Sequence, residues 1–186
     1  MGSRSDEAST DVTAWRAGWA RVPILGALGV AVSMFSTATR VRAASASASL
    51  SVSASVVNNC TISTTALAFG SYDPIVTNAA ANLDATGTVA VACTKGASST
   101  IGLNLGSNAS GSTRRLNDGY GNFLTYEVYQ DSSRSTVWGN SGAALLTPAA
   151  APSKAPRDFT VFGRVPGNQD IPAGSYSDTI TATVNF

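Results

Sequence analysis

The chain has 186 residues, none of them histidine, with 12% charged residues and a formal net charge of +1. The missing imidazole excludes a serine–histidine hydrolase and removes the commonest metal ligand. Beyond residue 43, seven basic residues face eight acidic ones with no basic cluster beyond Arg114-Arg115, so counterion-driven binding of nucleic acid has no footing.

In chain order, the first feature is Val22 to Phe35, the apolar run VPILGALGVAVSMF, preceded by Arg16 and Arg21. It is shorter than the roughly 20 residues a membrane-spanning helix needs and suits the core of a signal peptide. Residues 1–43 are therefore read as an export segment, with cleavage between 38 and 46. Asp6, Glu7 and Asp11 are unusual in such a leader and fit a start codon downstream of Met1. Arg40 and Arg42 leave an uncleaved anchor as the alternative.

Ala44 to Val57 reads ASASASLSVSASVV: even positions from Ala44 to Val56 are apolar, odd positions from Ser45 to Ser55 are serine. Side chains of a strand alternate between faces, so the pattern gives one apolar and one wet face. A helix would scatter the serines all round. A long leading strand is expected, and it must pair with its own domain or with a neighbour's.

Cys60 and Cys93 follow as the sole cysteines. Two in an exported chain are expected to form a disulfide, and a metal site would need further ligands. Strand signals then recur at regular spacing: Thr61–Phe69, Gly87–Cys93, Ile101–Gly106, Leu124–Gln130, Thr136–Gly139, Phe159–Val165 and Tyr176–Phe186. Gly70-Ser71-Tyr72-Asp73-Pro74, Asp118-Gly119 and Pro166-Gly167 punctuate them as turns. Serine, threonine, alanine, glycine and valine dominate, which with this spacing predicts an all-β antiparallel sandwich.

Several local blocks point further. They are Cys60-Thr-Ile, Leu67-Ala-Phe69-Gly-Ser-Tyr72-Asp73-Pro74, Val89-Ala-Val91-Ala-Cys93-Thr94-Lys95-Gly96 and Leu103-Asn-Leu105-Gly106. Arg115-Leu116, Leu124-Thr-Tyr126, Trp138-Gly139, Phe159-Thr-Val161-Phe-Gly163-Arg-Val165-Pro166, Gln169, Gly174-Ser-Tyr176-Ser-Asp178-Thr-Ile180 and Val184-Asn-Phe186 complete the set. In this order they resemble the spore coat protein U domain family, which includes the archaic (Csu-type) chaperone–usher pilus subunits.

The resemblance implies an incomplete immunoglobulin-like sandwich that lacks its last strand and is completed by donor-strand exchange. Its implied partners are a periplasmic chaperone, an outer-membrane usher and neighbouring pilus subunits, and its implied work is surface adhesion and biofilm formation. It implies no catalytic residue, cofactor or metal. On this reading residues 44–51 are the donor extension, with Ala44, Ala46, Ala48 and Leu50 facing the acceptor. Residues 52–186 are the domain, with Val52–Asn58 pairing inside it as the first strand. Ile180, Ala182, Val184 and Phe186 form the last-strand wall of the acceptor groove. Because Ala44, Ala46 and Ala48 offer only methyl groups, the alternatives are that the division slides toward Val52 and Val56 or that cleavage after Ala46 shortens the donor. The alternative is a secreted or surface-coat sandwich that binds a ligand without polymerising.

Other residues have plainer expectations. Glu127 is read as solvated, Arg114-Arg115 as a solvated pair at a turn, and Trp138, Tyr120, Tyr126 and Tyr129 as core packing rather than a sugar platform.

Overall fold

The computed structural model describes residues 39–186, so the export segment, apart from residues 39–43, lies outside the described residues. The chain divides into a unit ending at Leu50 and a unit from Ser51 to Phe186. In the first, residues 39–50 are exposed and carry no regular structure.

The second unit contains β1 (Cys60–Thr65), β2 (Leu83–Cys93), β3 (Thr100–Leu103), β4 (Arg114–Asn117), β5 (Phe123–Tyr129), β6 (Arg157–Val165) and β7 (Ala182–Asn185). Five strands form one sheet in the order β1-β2-β6-β5-β4, and β3 pairs with β7 in a second. All pairings are antiparallel. The side-chain alternation explains why. Val89, Val91 and Cys93 of β2 are buried while Ala90 and Ala92 between them are half-exposed, and Leu124, Tyr126 and Val128 repeat this on β5. Those buried faces meet Ile101 and Leu103 of β3 in one core. The result is the all-β, immunoglobulin-like antiparallel sandwich.

Cys60 and Cys93 are register partners at the end of the β1–β2 pair, with Cα atoms 4.1 Å apart, and they form a disulfide. Closing a 33-residue separation restricts the unfolded chain, a contribution of about 3–4 kcal/mol in the chain-entropy picture.

After Thr65 the chain leaves its place beside β2 and crosses the inner face of the sheet. Two buried glycines mark the crossing. A Cβ on Gly87 of β2 would lie 3.1 Å from the Thr65 carbonyl, and one on Gly163 of β6 would lie 2.6 Å from Leu67 Cδ2. Glycine inside a strand often marks a close approach of backbone. Here it lets Leu67 and Phe69 ride close against the sheet.

Several expectations need correction. The first strand starts at Cys60, and Val52–Asn58 forms no ladder. The reason is register: residues before Cys60 would pair with residues after Cys93, where the chain turns away through Gly96 at φ +85°. Thr136–Gly139 makes only a single bridge, Val137 to Tyr129. The last strand spans four residues, and a strand not anticipated from the pattern, β4, pairs with β5 across the Asp118-Gly119 turn.

The pairing of Arg114 with Glu127 corrects the expectation that both are solvated. Arg114 is fully buried. Its guanidinium donates to the carbonyls of Leu103 (3.0 Å), Asn104 (2.8 Å) and Trp138 (2.8 Å), and it pairs with the Glu127 carboxylate. A buried charge is tolerable when paired and fully hydrogen-bonded, and the carbonyls of Leu103, Asn104 and Trp138 together with Glu127 supply the need. Arg115 lies outside, over the Phe123 ring at 3.9 Å. Of the aromatics, Trp138 and Tyr126 are core residues, Tyr129 is half-buried and Tyr120 is 92% exposed.

Candidate functional site

The sandwich is open along one side. One wall is the crossing segment from Thr64 to Tyr72, and the other runs from Ile171 to Ala182. Between them Leu116, Leu124, Tyr126, Val128 and Val161 form an apolar floor. The depression comprises two cavities of about 680 and 290 Å³, which share Leu67, Phe69, Leu116 and Asp178 as lining residues. They form one groove.

Its walls are notable for backbone groups left unpaired. Among the described residues, Ala66–Ser71 makes no backbone hydrogen bond, and neither does Ile180. On the C-terminal wall the neighbours of Ile180 are held from the other side: the Asn104 N–H donates to the Thr181 carbonyl (3.1 Å) and the Ser107 N–H to the Thr179 carbonyl (3.1 Å). In an extended chain, alternate residues present their backbone groups to opposite sides, so Ile180 presents its own to the groove. β1 and β7 each pair on one side only. Apolar side chains beneath unpaired backbone on both walls are what an incoming β-strand requires.

Polar contacts brace both walls. The Tyr72 hydroxyl donates to the Pro166 carbonyl (3.1 Å) and accepts the Gln169 N–H (2.9 Å). The Gln169 side chain binds the Thr125 backbone through both ends, at 2.8 and 3.1 Å. On the facing wall, Asp178 accepts the Ser107 N–H (2.9 Å), the Asn108 N–H (3.1 Å) and the Tyr126 hydroxyl (2.6 Å). Burial, together with the bond to Asp178, pushes the Tyr126 phenol well above the usual range, so it remains a donor. Gly106, at φ +86°, leaves room for this carboxylate; any Cβ there would collide with it.

The residues singled out from sequence fall in different places. Ile180 and Ala182 line the groove. Val184 pairs with Ile101 of β3, and Phe186 is 57% exposed; neither is a wall residue. Ala44, Ala46, Ala48 and Leu50 are exposed in the stretch without regular structure. Sequence reasoning assigned no role to Tyr72, Gln169 or Asp178, and it missed Leu116 and Ile171 as groove residues. The available signal was Gly163, a glycine inside an apolar strand, which marks where another segment crosses.

Comparison with known proteins agrees with this architecture. Residues 46–183 match the family model of the Spore Coat Protein U domain. Protein U of Myxococcus xanthus is 36% identical over 146 residues, covering 72% of this chain and 80% of that protein. Among solved structures, one similar fold is in the CsuC–CsuE chaperone–tip adhesion subunit pre-assembly complex from archaic chaperone-usher Csu pili of Acinetobacter baumannii. It superposes with a TM-score of 0.53 at 24% identity, over 70% of this chain and 40% of that one. With the family pattern running through nearly the whole sandwich and both groove walls, the chain belongs to the Spore Coat Protein U domain family.

Proposed function

We propose that this protein is a structural, non-catalytic subunit that polymerises by strand donation. The supporting observation is the groove, whose walls carry unpaired backbone over an apolar floor. A sheet edge in that state invites uncontrolled aggregation unless something covers it. In this reading the subunit is exported to the periplasm, where a chaperone fills the groove. At an outer-membrane usher the N-terminal extension of the next subunit replaces the chaperone. A head-to-tail contact that does not close on itself produces a fibre, and the fibre supports surface adhesion and biofilm formation.

The test is periplasmic co-expression with the cognate chaperone, with and without residues 44–56. The truncated chain should retain the chaperone complex and lose multimers that resist SDS until heated. A chain that folds alone as a stable monomer, and does so equally without residues 44–56, would overturn the proposal in favour of a coat or ligand-binding sandwich.

A further inference from the structure

We infer that the donated strand is Ala48–Val56 rather than Ala44–Ser51, and that it enters the groove of a second copy of this chain. This rests on the strand-donation reading above. Three observations fix the window: the length of the wall, the anchoring of the segment's root and the side chains left uncovered.

The crossing wall from Thr64 to Tyr72 is nine residues long. It bends at Gly70, where φ is +78°, so a strand that pairs along it needs at most about that many residues. The root of the extension is already held. The Thr94 hydroxyl donates to the Val57 carbonyl (3.2 Å) and accepts the Asn59 N–H (3.1 Å), while the Thr94 N–H donates to the Asn59 carbonyl (2.9 Å). Val57 and Asn59 are thus tied to the Cys60–Cys93 end of β1, and the groove opens beyond its other end. The first nine residues free of that anchor are Ala48 to Val56.

Side-chain size points to the same window. Strand parity places Ala48, Leu50, Val52, Ala54 and Val56 on one face, with serines on the other. Leu50, Val52 and Val56 are 87%, 85% and 86% exposed. Val52 and Val56 are therefore not covered by their own domain, which leaves a second copy's groove as their place of burial. The alternative window offers Ala44, Ala46 and Ala48 with only one larger group, Leu50. Alanine methyls bury little apolar area against the floor of Leu116, Leu124, Tyr126, Val128 and Val161, so each contributes less to association than a branched side chain would. Val52 and Val56 add two branched side chains at the two-residue spacing that a strand-binding groove reads.

The experiment is an aspartate scan of the full chain, co-expressed in the periplasm with the cognate chaperone. Two quantities are read: yield of the chaperone complex, and SDS-resistant multimers before heating. Val52→Asp and Val56→Asp should each lower multimers about tenfold or more at unchanged complex yield, because a carboxylate would have to enter the apolar floor. Ala44→Asp, Ala46→Asp and the outward-facing Ser53→Asp should stay within about twofold of the parent, because none enters the groove. Loss on Ala44→Asp or Ala46→Asp with normal assembly of the valine variants would move the donor to the alanine end, leaving strand donation intact. Multimers that survive every substitution and also deletion of residues 44–56 would remove strand donation itself. A soluble monomer protected from protease through its own Ala48–Val56 would overturn the second-copy assignment.

Discussion

The two sides of the sandwich share one apolar core and differ in their backbone. On the closed side, β2 sits between β1 and β6 with an unbroken register, and the disulfide joins its end to β1. On the open side, Leu67, Phe69, Ile171 and Ile180 reach the same core, yet the wall segments around Leu67 and Ile180 lack strand partners. A buried amide without a partner costs on the order of 1–3 kcal/mol, so the open side is tolerable only while water or another strand satisfies it. Stability is internal on one side and supplied from outside on the other.

The sharpest way to break the contrast is to damage the core that both sides share. Arg114→Met would leave Glu127 without its cation and three carbonyls without their donors. Breaking a buried pair from one end costs about 3–5 kcal/mol. The chaperone complex should then fail to accumulate, as seen by its periplasmic yield. Normal yield would mean that the shared core does not depend on this residue.

Replacing both Cys60 and Cys93 with serine ranks next. It removes the loop restraint, a loss of about 3–4 kcal/mol, without disturbing the groove walls. Assembled multimers of this variant should dissociate at lower denaturant concentration, while undenatured multimers still form wherever the subunit survives. If the midpoint is unchanged, the fibre's stability resides in the strand joint alone.

Gly163→Val attacks the boundary between the two sides. Its side chain would press on Leu67 and on Phe69, whose Cζ lies 2.8 Å from the point a Cβ at this position would occupy. Overpacking costs about 1–3 kcal/mol, and here the displaced element is the groove wall. Multimer formation should fall more than chaperone-complex yield. Equal loss of both would show that the wall and the closed core are one cooperative unit.

The same contrast explains what the sequence could reveal. Alternation in Val89-Ala-Val91-Ala-Cys93 and Leu124-Thr-Tyr126-Glu-Val128 announces strands because one face is buried. The pattern reports which face a side chain occupies, and it is silent on whether the backbone beside it has a partner. Leu67 and Phe69 therefore read as more of the first strand, although the chain there crosses the sheet. Val52 and Val56 read as paired for the same reason, and they are exposed. Arg114 was illegible because a charged residue between a serine-rich loop and an Asn/Gly-rich turn carries no periodic signal. Its burial depends on carbonyls that distant segments bring to it. The resemblance marked Tyr72, Gln169 and Asp178 as positions without showing that they brace the two walls.

The smallest effect should come from the outer, solvated face of the sheet, where Asp84 and Arg164 are register partners on β2 and β6. Arg164 grips both carboxylate oxygens at 2.7 and 2.9 Å, and Arg134 approaches at 3.2 Å. The hydrogen bond from Arg164 is the main reason the Asp84 carboxyl lies below its ordinary range. A carboxyl lowered by folding stabilises the native state above its unfolded pKa of about 3.9, and that contribution fades as pH falls through the folded value. The site is exposed enough for solvent to screen it, which limits the contribution to below about 1 kcal/mol. Asp84→Asn should therefore be slightly less stable than the parent near neutral pH and converge with it in acid, in denaturant titrations of assembled multimers. A gap of undiminished size in the most acid titrations, after the pH has fallen through the lowered folded range of this carboxyl, would mean that the cross-strand contact acts through packing rather than charge.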